Sequence, residues 1–403
     1  MNTQIADTEN IQRVIIGGDF APIGRSETLL CSKSKTTLVD DLRGLFREAD
    51  LTIVNLECPL IIRPTPTKAK GPTLGAGAEC AAGIKAAGID IVGLANNHIL
   101  DHGQEGLENT LKTLRTADIE YVGAGKSIAE AKQMLVREIN SLKLGIVAVA
   151  EHEFSIATAC SGGANPLDVI TFVRTMAQCR SAVDFIVVLY HGGKELHPYP
   201  SPRQMDTCRF MIEQGANVVV CQHSHCPGCY EEYRGGHIVY GQGNLLFDMH
   251  PNKMPAMWYE GFLVNLGLKK NAAIEFGITP FVYRNDDVGI NTANNRCMNI
   301  AKEVAYRSER IKEDGIVKTE WFNLCDKKRY EYLSYMHGYN RVLRYINKGI
   351  HFTDALYSKR AHNLILNVMR CETHREVLES ILEKEPVGKP EKQSKPEKKD
   401  AND

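Results

Sequence analysis

Short runs of β-branched and aliphatic residues recur along the first two-thirds of the chain, and most end in polar residues of the kind that bind metals. The runs cover residues 14–16, 51–54, 89–94, 144–149, 185–189, 218–221, 238–240 and 262–266. Apolar runs this short, bounded by Gly, Pro, Asn or Asp, predict buried strands. Between them the period changes. Leu107, Leu111 and Leu114 repeat at helical spacing after Asp101, and the Ala-rich residues 78–88 predict another helix ended by Gly88. Strands alternating with helices predict a layered α/β domain over residues 10–285.

After residue 285 the β-branched runs give way to Leu, Arg, Glu and Lys at helical spacing, as in Tyr332, Met336, Tyr339 and Leu343. Residues 286–385 therefore predict a helical C-terminal module, available to pack on the domain or to dock a protein partner. Residues 386–403 are rich in Lys, Glu and Pro with almost nothing apolar. Such a tail cannot offset its ordering entropy and is expected to be disordered.

Composition excludes several classes. With 43% hydrophobic and 24% charged residues, most of the 403-residue chain can bury a core. A net charge of −1 argues against a nucleic-acid partner, which calls for a basic surface. No stretch reaches the roughly 18 unbroken apolar residues of a membrane span. The polar start, MNTQIADTENIQR, lacks the features of a signal peptide, so a cytoplasmic protein is expected. The 12 cysteines lie mostly among apolar neighbours, which suits reduced thiols better than a disulfide framework. Cys226 and Cys229 have the C-x-x-C spacing of redox and zinc sites, which keeps a redox protein open as a minor reading.

The strand ends carry the chemistry. Successive runs lead into Gly17-Gly18-Asp19, Asn55-Leu56-Glu57, Asn96-Asn97-His98, Tyr190-His191-Gly192 and Gln222-His223-Ser224-His225. Open α/β sheets place their sites at the carboxyl ends of strands. Each residue alone has an ordinary explanation: a helix cap, a polar turn or a hydrogen-bonded core histidine. The His223/His225 pair is more telling, since period 2 puts both rings on one side of an extended segment. Together they give two carboxylates, one amide oxygen and three or four imidazoles on one sheet edge. That donor set suits one or two divalent ions, with Zn, Mn or Fe the natural choices. Glu151, His152 and Glu153 end a run on the same edge and are further pocket candidates.

These motifs resemble the calcineurin-like metallophosphoesterases, and within them the CapA branch of capsule and poly-gamma-glutamate biosynthesis proteins. The resemblance rests on GGDFAPIGR, NLECPL, GLANNHILDHGQEGLENTL, YVGAG, YHGGKELHPYPSPRQ and the histidine block from Gly215 to Asp248, and it covers roughly residues 12–250. It implies a metallophosphoesterase-like layered sandwich of two central mixed sheets flanked by helices. It further implies that Asp19 and His225 hold one ion, that Asn97, His191 and His223 hold a second, and that Glu57 bridges them. His98 would be the general acid, and Asp101 would fix its tautomer, although Asp101 would also serve as a helix N-cap. Ala21 stands where the superfamily's D-x-H signature has histidine, so the first ion would be short of protein ligands. Gln222 stands where G-H-x-H has glycine.

Arg25, Lys70, Lys194 and Arg203 lie in loops near the motifs and, with Glu195, are candidate substrate-binding residues, since a phosphate or polycarboxylate needs cations such as the first four. The leading expectation is a metal-dependent hydrolase acting on a phosphoester or amide bond, with an anionic polymer or phosphoester as substrate. The alternative is a non-catalytic subunit that holds polymer or a synthase partner in the same pocket.

Overall fold

Side-chain alternation along the buried strands explains the architecture. In the strand Phe185–His191 every residue is buried. Val187 and Leu189 join one core cluster with Ile53, Val54 and Ile91, whereas Ile186, Val188 and Tyr190 join another with Phe172, Met176, Met205 and Met211. One face of this sheet therefore packs on a second sheet and the other on two helices, Val169–Cys179 and Pro202–Glu213. Each fully buried aliphatic side chain in such a layer contributes about 1.5–3 kcal/mol.

The coordinates are a computed structural model, which describes residues 11–32, 36–67, 72–249, 254–284, 288–334 and 358–383. Among these residues the first sheet runs Gly289–Asn291, Glu275–Arg284, Glu260–Leu268, Gln12–Ala21, Leu51–Leu56, Ile91–Gly93 and Glu120–Val122, with Asn244–Phe247 also paired to Gln12–Ala21. The second runs Tyr230–Tyr233, Gly236–Tyr240, Val218–Gln222, Phe185–His191, Leu142–Ala150 and Leu135–Ile139. Both are mixed: the first is antiparallel on the Gly289–Asn291 side of Gln12–Ala21 and parallel through to Glu120–Val122, and the second has a parallel centre between antiparallel edges. The protein is thus an α/β sandwich of two mixed sheets with helices outside, as expected.

The strand Gln12–Ala21 is irregular where it matters. Gln12 to Ile16 pair antiparallel with Glu260–Leu268, while Asp19 to Ala21 pair parallel with Asn244–Phe247. The register slips between Ile16 and Asp19 and again at Asp19/Phe20. Gly18 permits this change of partner: a Cβ there would lie 2.0 Å from the Gly243 carbonyl oxygen. Asp19 sits at the slip, at the carboxyl end of a central strand.

The C-terminal region is helical. Asn295–Arg310 is capped by Asn294 and packs on the strands Glu275–Arg284 and Tyr230–Tyr233. Ile316–Ser334, Lys359–Arg370 and Glu372–Glu383 share a small core of Trp321, Cys325, Val368, Val377, Leu378 and Ile381. Of the predicted helical stripe only Tyr332 falls in a described helix; Met336, Tyr339, Leu343 and the tail 386–403 lie outside the described residues, as does Lys70. Among the described residues no helix is long and apolar enough to cross a membrane.

Candidate metal centre

Five strand ends and their loops converge on one buried pocket. Asp19, Glu57, His191, His223 and His225 are each at most 5% exposed. Asn55 Nδ2 donates to Asp19 Oδ1 at 2.8 Å and lies 3.2 Å from His191 Nδ1. Asn96 Nδ2 in turn donates to the Leu56 carbonyl at 2.8 Å. These amides hold the acid of one strand against the imidazole of another. His223 and His225 follow the strand Val218–Gln222 in left-handed backbone, at φ 87° and 51°. Such conformations cost a non-glycine residue on the order of 1–3 kcal/mol and persist where the surroundings impose them. Here the His223 N–H donates to Asp19 Oδ2 at 2.9 Å, and His225 Nδ1 lies 2.8 Å from Asn244 Oδ1 and 3.3 Å from Asp19 Oδ2. The His225 ring is wedged against Trp258 and Phe247.

Two ligand groups result. Asp19, Glu57 and His225 offer donor atoms within 4.8 Å of one another, as do Glu57, His191 and His223. Glu57 belongs to both. Asn97 Oδ1 lies 3.0 Å from His191 Nε2, beside the second group. Both Glu57 oxygens are buried without a hydrogen-bond donor among the described residues, and His223 Nδ1 is likewise unpartnered. A buried carboxylate left bare costs several kcal/mol unless a cation meets it. The residues fit divalent metal binding, with Glu57 common to both groups.

The electrostatics of that donor set are mixed: burial opposes the His225 imidazolium, but Asp19 and Glu195 outweigh it and hold His225 above its ordinary value, so a cation at Asp19 would have to displace that proton. Burial first, then Asp19, Glu195 and Glu153, push the Glu57 carboxyl well above the usual range. Burial also opposes the Asp19 carboxylate, but His225 and His191 outweigh it and hold Asp19 far below the usual range. Burial keeps His191 and His223 neutral, which is the form that ligates.

His98 is half-buried beside this pocket, with Nδ1 2.7 Å from Asp101 Oδ2. The same Asp101 oxygen accepts from the Leu74 N–H at 2.7 Å. The helix Gly103–Thr116 begins after His102 without a side-chain cap, so Asp101 serves His98 and Leu74 rather than the helix.

The proposed substrate residues are scattered. Arg25 lies on Asp248, with Nη2 2.7 Å from Oδ1 and both its N–H and Nε bonded to the same carboxylate. Lys194 and Glu195 lie on the loop after His191. Enclosure at the pocket mouth raises the Glu195 carboxyl, but Lys194, His223 and His225 bring it below its ordinary value. Arg203 lies apart, over a small cavity beneath the C-terminal helix, where its N–H donates to Glu376 at 3.2 Å. Cys226 and Cys229 are fully buried, and burial pushes the Cys226 thiol up to about 12 and Cys229 higher still. That is the reverse of a reactive C-x-x-C pair, which needs a depressed thiol pKa.

The C-terminal helices reach the same edge. Glu151 accepts from Tyr190 Oη at 2.8 Å, from the Gly193 N–H at 3.2 Å and from Thr373 Oγ1 at 2.5 Å. His152 pairs with Glu372. Glu153 accepts from Asn97 Nδ2 at 3.2 Å and lies 3.6 Å from His374 Nε2. Nothing in the strand-end pattern pointed to residues 371–374. Their one local signal is the C-x-x-H spacing of Cys371 and His374 within an otherwise helical stretch.

Comparison with known proteins gives a consistent answer. The family described as Bacterial capsule synthesis protein PGA_cap matches residues 13–249. The capsule biosynthesis protein CapA of Bacillus anthracis is 28% identical over 211 residues, covering 50% of this chain and 51% of that protein. The PGA biosynthesis protein CapA of Bacillus subtilis is 28% identical over 253 residues, covering 62% of this chain and 65% of that protein. The chain thus spans less than two-thirds of either relative. Among solved structures, a 5'-nucleotidase from Candida albicans aligns with a TM-score of 0.41 and 10% identity, covering 76% of this chain and 59% of that one.

Proposed function

The chain belongs to the bacterial capsule synthesis protein family PGA_cap, and on that footing we propose that it is a metal-dependent hydrolase acting on a phosphoester or amide bond of an anionic polymer or its precursor. The observation that carries the reading is Glu57, whose two bare, buried oxygens lie between two three-residue ligand groups that share it. Asp19, Glu57 and His225 would hold one divalent ion, and Glu57, His191, His223 and Asn97 Oδ1 the other. Such ions supply Lewis-acid polarisation and an activated water. His98 is the proton donor. Asp101 at its Nδ1 supports the imidazolium, and the Nε2 proton passes to the departing oxygen or nitrogen. Lys194, on the loop after His191, would meet substrate anions, with Glu195 beside it to discriminate among them. The names of the two Bacillus relatives point to capsule or PGA biosynthesis as the setting.

The test is a pair of variants measured for metal content and for turnover of phosphoester and γ-glutamyl substrates. His223→Ala should lose bound metal. His98→Ala should keep it and lose turnover by about a hundred- to ten-thousand-fold, the usual contribution of a general acid. Metal without turnover of either substrate class would favour a non-catalytic subunit that holds polymer or a synthase in this pocket. Full metal and full activity in both variants would overturn the assignment.

A further inference from the structure

We propose that Glu153, Cys371 and His374 form a third metal position, for zinc or another borderline-soft divalent ion, completed by the docking of the C-terminal helices on the sheet edge. One donor atom from each of the three lies within 4.8 Å of the others. Glu153 Oε1 is 3.6 Å from His374 Nε2 and 4.0 Å from Cys371 Sγ. Cys371 follows the helix Lys359–Arg370 and His374 stands in the first turn of Glu372–Glu383, so the break between the helices presents both to one carboxylate. Cys371 is 1% exposed, and its Sγ also lies 3.5 Å from Glu151 Oε2. A thiol, an imidazole and a carboxylate within 4.8 Å of one another, with the Glu151 carboxylate beside the thiol, make a donor set that hard cations seldom recruit and zinc favours. On binding, the Cys371 S–H bond breaks, its proton leaves to solvent and a sulfur–metal bond forms.

This position adjoins the bridged pair without sharing its ligands. Glu153 Oε2 accepts from Asn97, and Glu153 Oε1 is 3.8 Å from His223 Nε2. One carboxylate thus separates the third position from the group Glu57, His191 and His223. The two carboxylate-bridged positions contain no sulfur, which makes the third one separately visible. Ligation at this position is independent of turnover at the bridged pair.

The experiment is titration of the full-length, chelator-treated protein with Co²⁺, followed by absorption. The wild type should develop a thiolate-to-cobalt charge-transfer band in the near ultraviolet. Cys371→Ser, a near-isosteric change, should abolish the band and bind one fewer Co²⁺ per chain. His374→Ala should weaken the binding that produces the band by at least the roughly ten- to hundredfold that loss of a mere outer-shell partner costs. His223→Ala, which disrupts the bridged pair, should keep the band. Circular dichroism checks that each variant is folded, and Cys371→Ala offers a second sulfur-free variant should serine fail to fold. A band that survives loss of Cys371, or no band once wild type is saturated with cobalt, would overturn the proposal and leave Cys371 and His374 as a hydrogen-bonded latch for the helices.

Discussion

The two-sheet sandwich and the C-terminal helices place polar groups at the same edge by opposite routes. In the sandwich, position along the chain nearly dictates position in space. A buried strand has one carboxyl end, parallel neighbours share that end, and Asp19, Glu57, Asn97, His191 and the 223–225 loop therefore meet. In the helices, position along the chain says only which face is apolar. Thr373, His374 and Glu376 reach Glu151, Glu153 and Ser201 because a small core around Trp321 sets the helices on that edge. Chemistry at strand ends is built into the fold, whereas chemistry on a docked helix depends on the dock.

The strongest way to break this comparison is to weaken each core separately. Leu189→Ala removes a side chain from between the sheets, two residues before His191, and should cost about 2–5 kcal/mol of global stability and reduce metal affinity with it. Val377→Ala should loosen the C-terminal helices while the bridged pair keeps its metals. Thermal denaturation and Mn²⁺ binding at the bridged pair in the two variants would check this, and equal loss of Mn²⁺ in both would show that the two regions are one cooperative unit.

A smaller effect is expected from pH. His197 lies between Tyr199 and Trp321, and burial, then Lys327 and Lys194, push it down to about 4. Its folded pKa is below its unfolded value, so the unfolded chain binds the extra proton. Its stabilising contribution is therefore intact above about pH 6.5 and is lost as pH falls toward 4. His197→Phe should flatten that decline by on the order of 2 kcal/mol in denaturant melts at pH 7 and pH 4. Parallel pH profiles for wild type and variant would show that His197 is not held neutral. Smaller again is Thr373→Val, which removes the donor to Glu151 but leaves Tyr190 and the Gly193 N–H. It should cost about 1–2 kcal/mol, measured by chemical denaturation; no change would mean that Thr373 does not anchor the helix.

Legibility in the sequence followed the same division. The apolar runs at 51–54, 185–189 and 218–221 became the strands Leu51–Leu56, Phe185–His191 and Val218–Gln222, each extended into its polar end. Strand Glu275–Arg284 has no clear signal in the sequence because it carries Pro280 and alternates weakly, being partly exposed along most of its length. Tyr230–Tyr233, YEEY, has none because its glutamates face Arg209 and solvent rather than showing an apolar stripe. In the site, the acids and imidazoles were legible from their place at strand ends, and the roles proposed for them come from resemblance. Asn55 and Asn244 were not, since an amide that steadies a ligand leaves no distinctive spacing. Arg25 illustrates the limit for cations: proximity to a motif did not reveal that Asp248, more than two hundred residues away, already engages it. Cys371 and His374 were invisible for the reason the comparison gives, that nothing local says where a helix pair will dock.

Glu57 is the proposed shared ligand of two unequal positions. Ala21 supplies no imidazole, so on the proposed assignment the Asp19 and His225 side would have fewer protein ligands than the Asn97, His191 and His223 side. Isothermal titration of chelator-treated protein with Mn²⁺, an ion with little appetite for thiolate, addresses this directly. The account predicts one tight and one weak binding event in the wild type and the loss of both in Glu57→Gln. Two equally tight events, or binding in Glu57→Gln that matches the wild type, would contradict it.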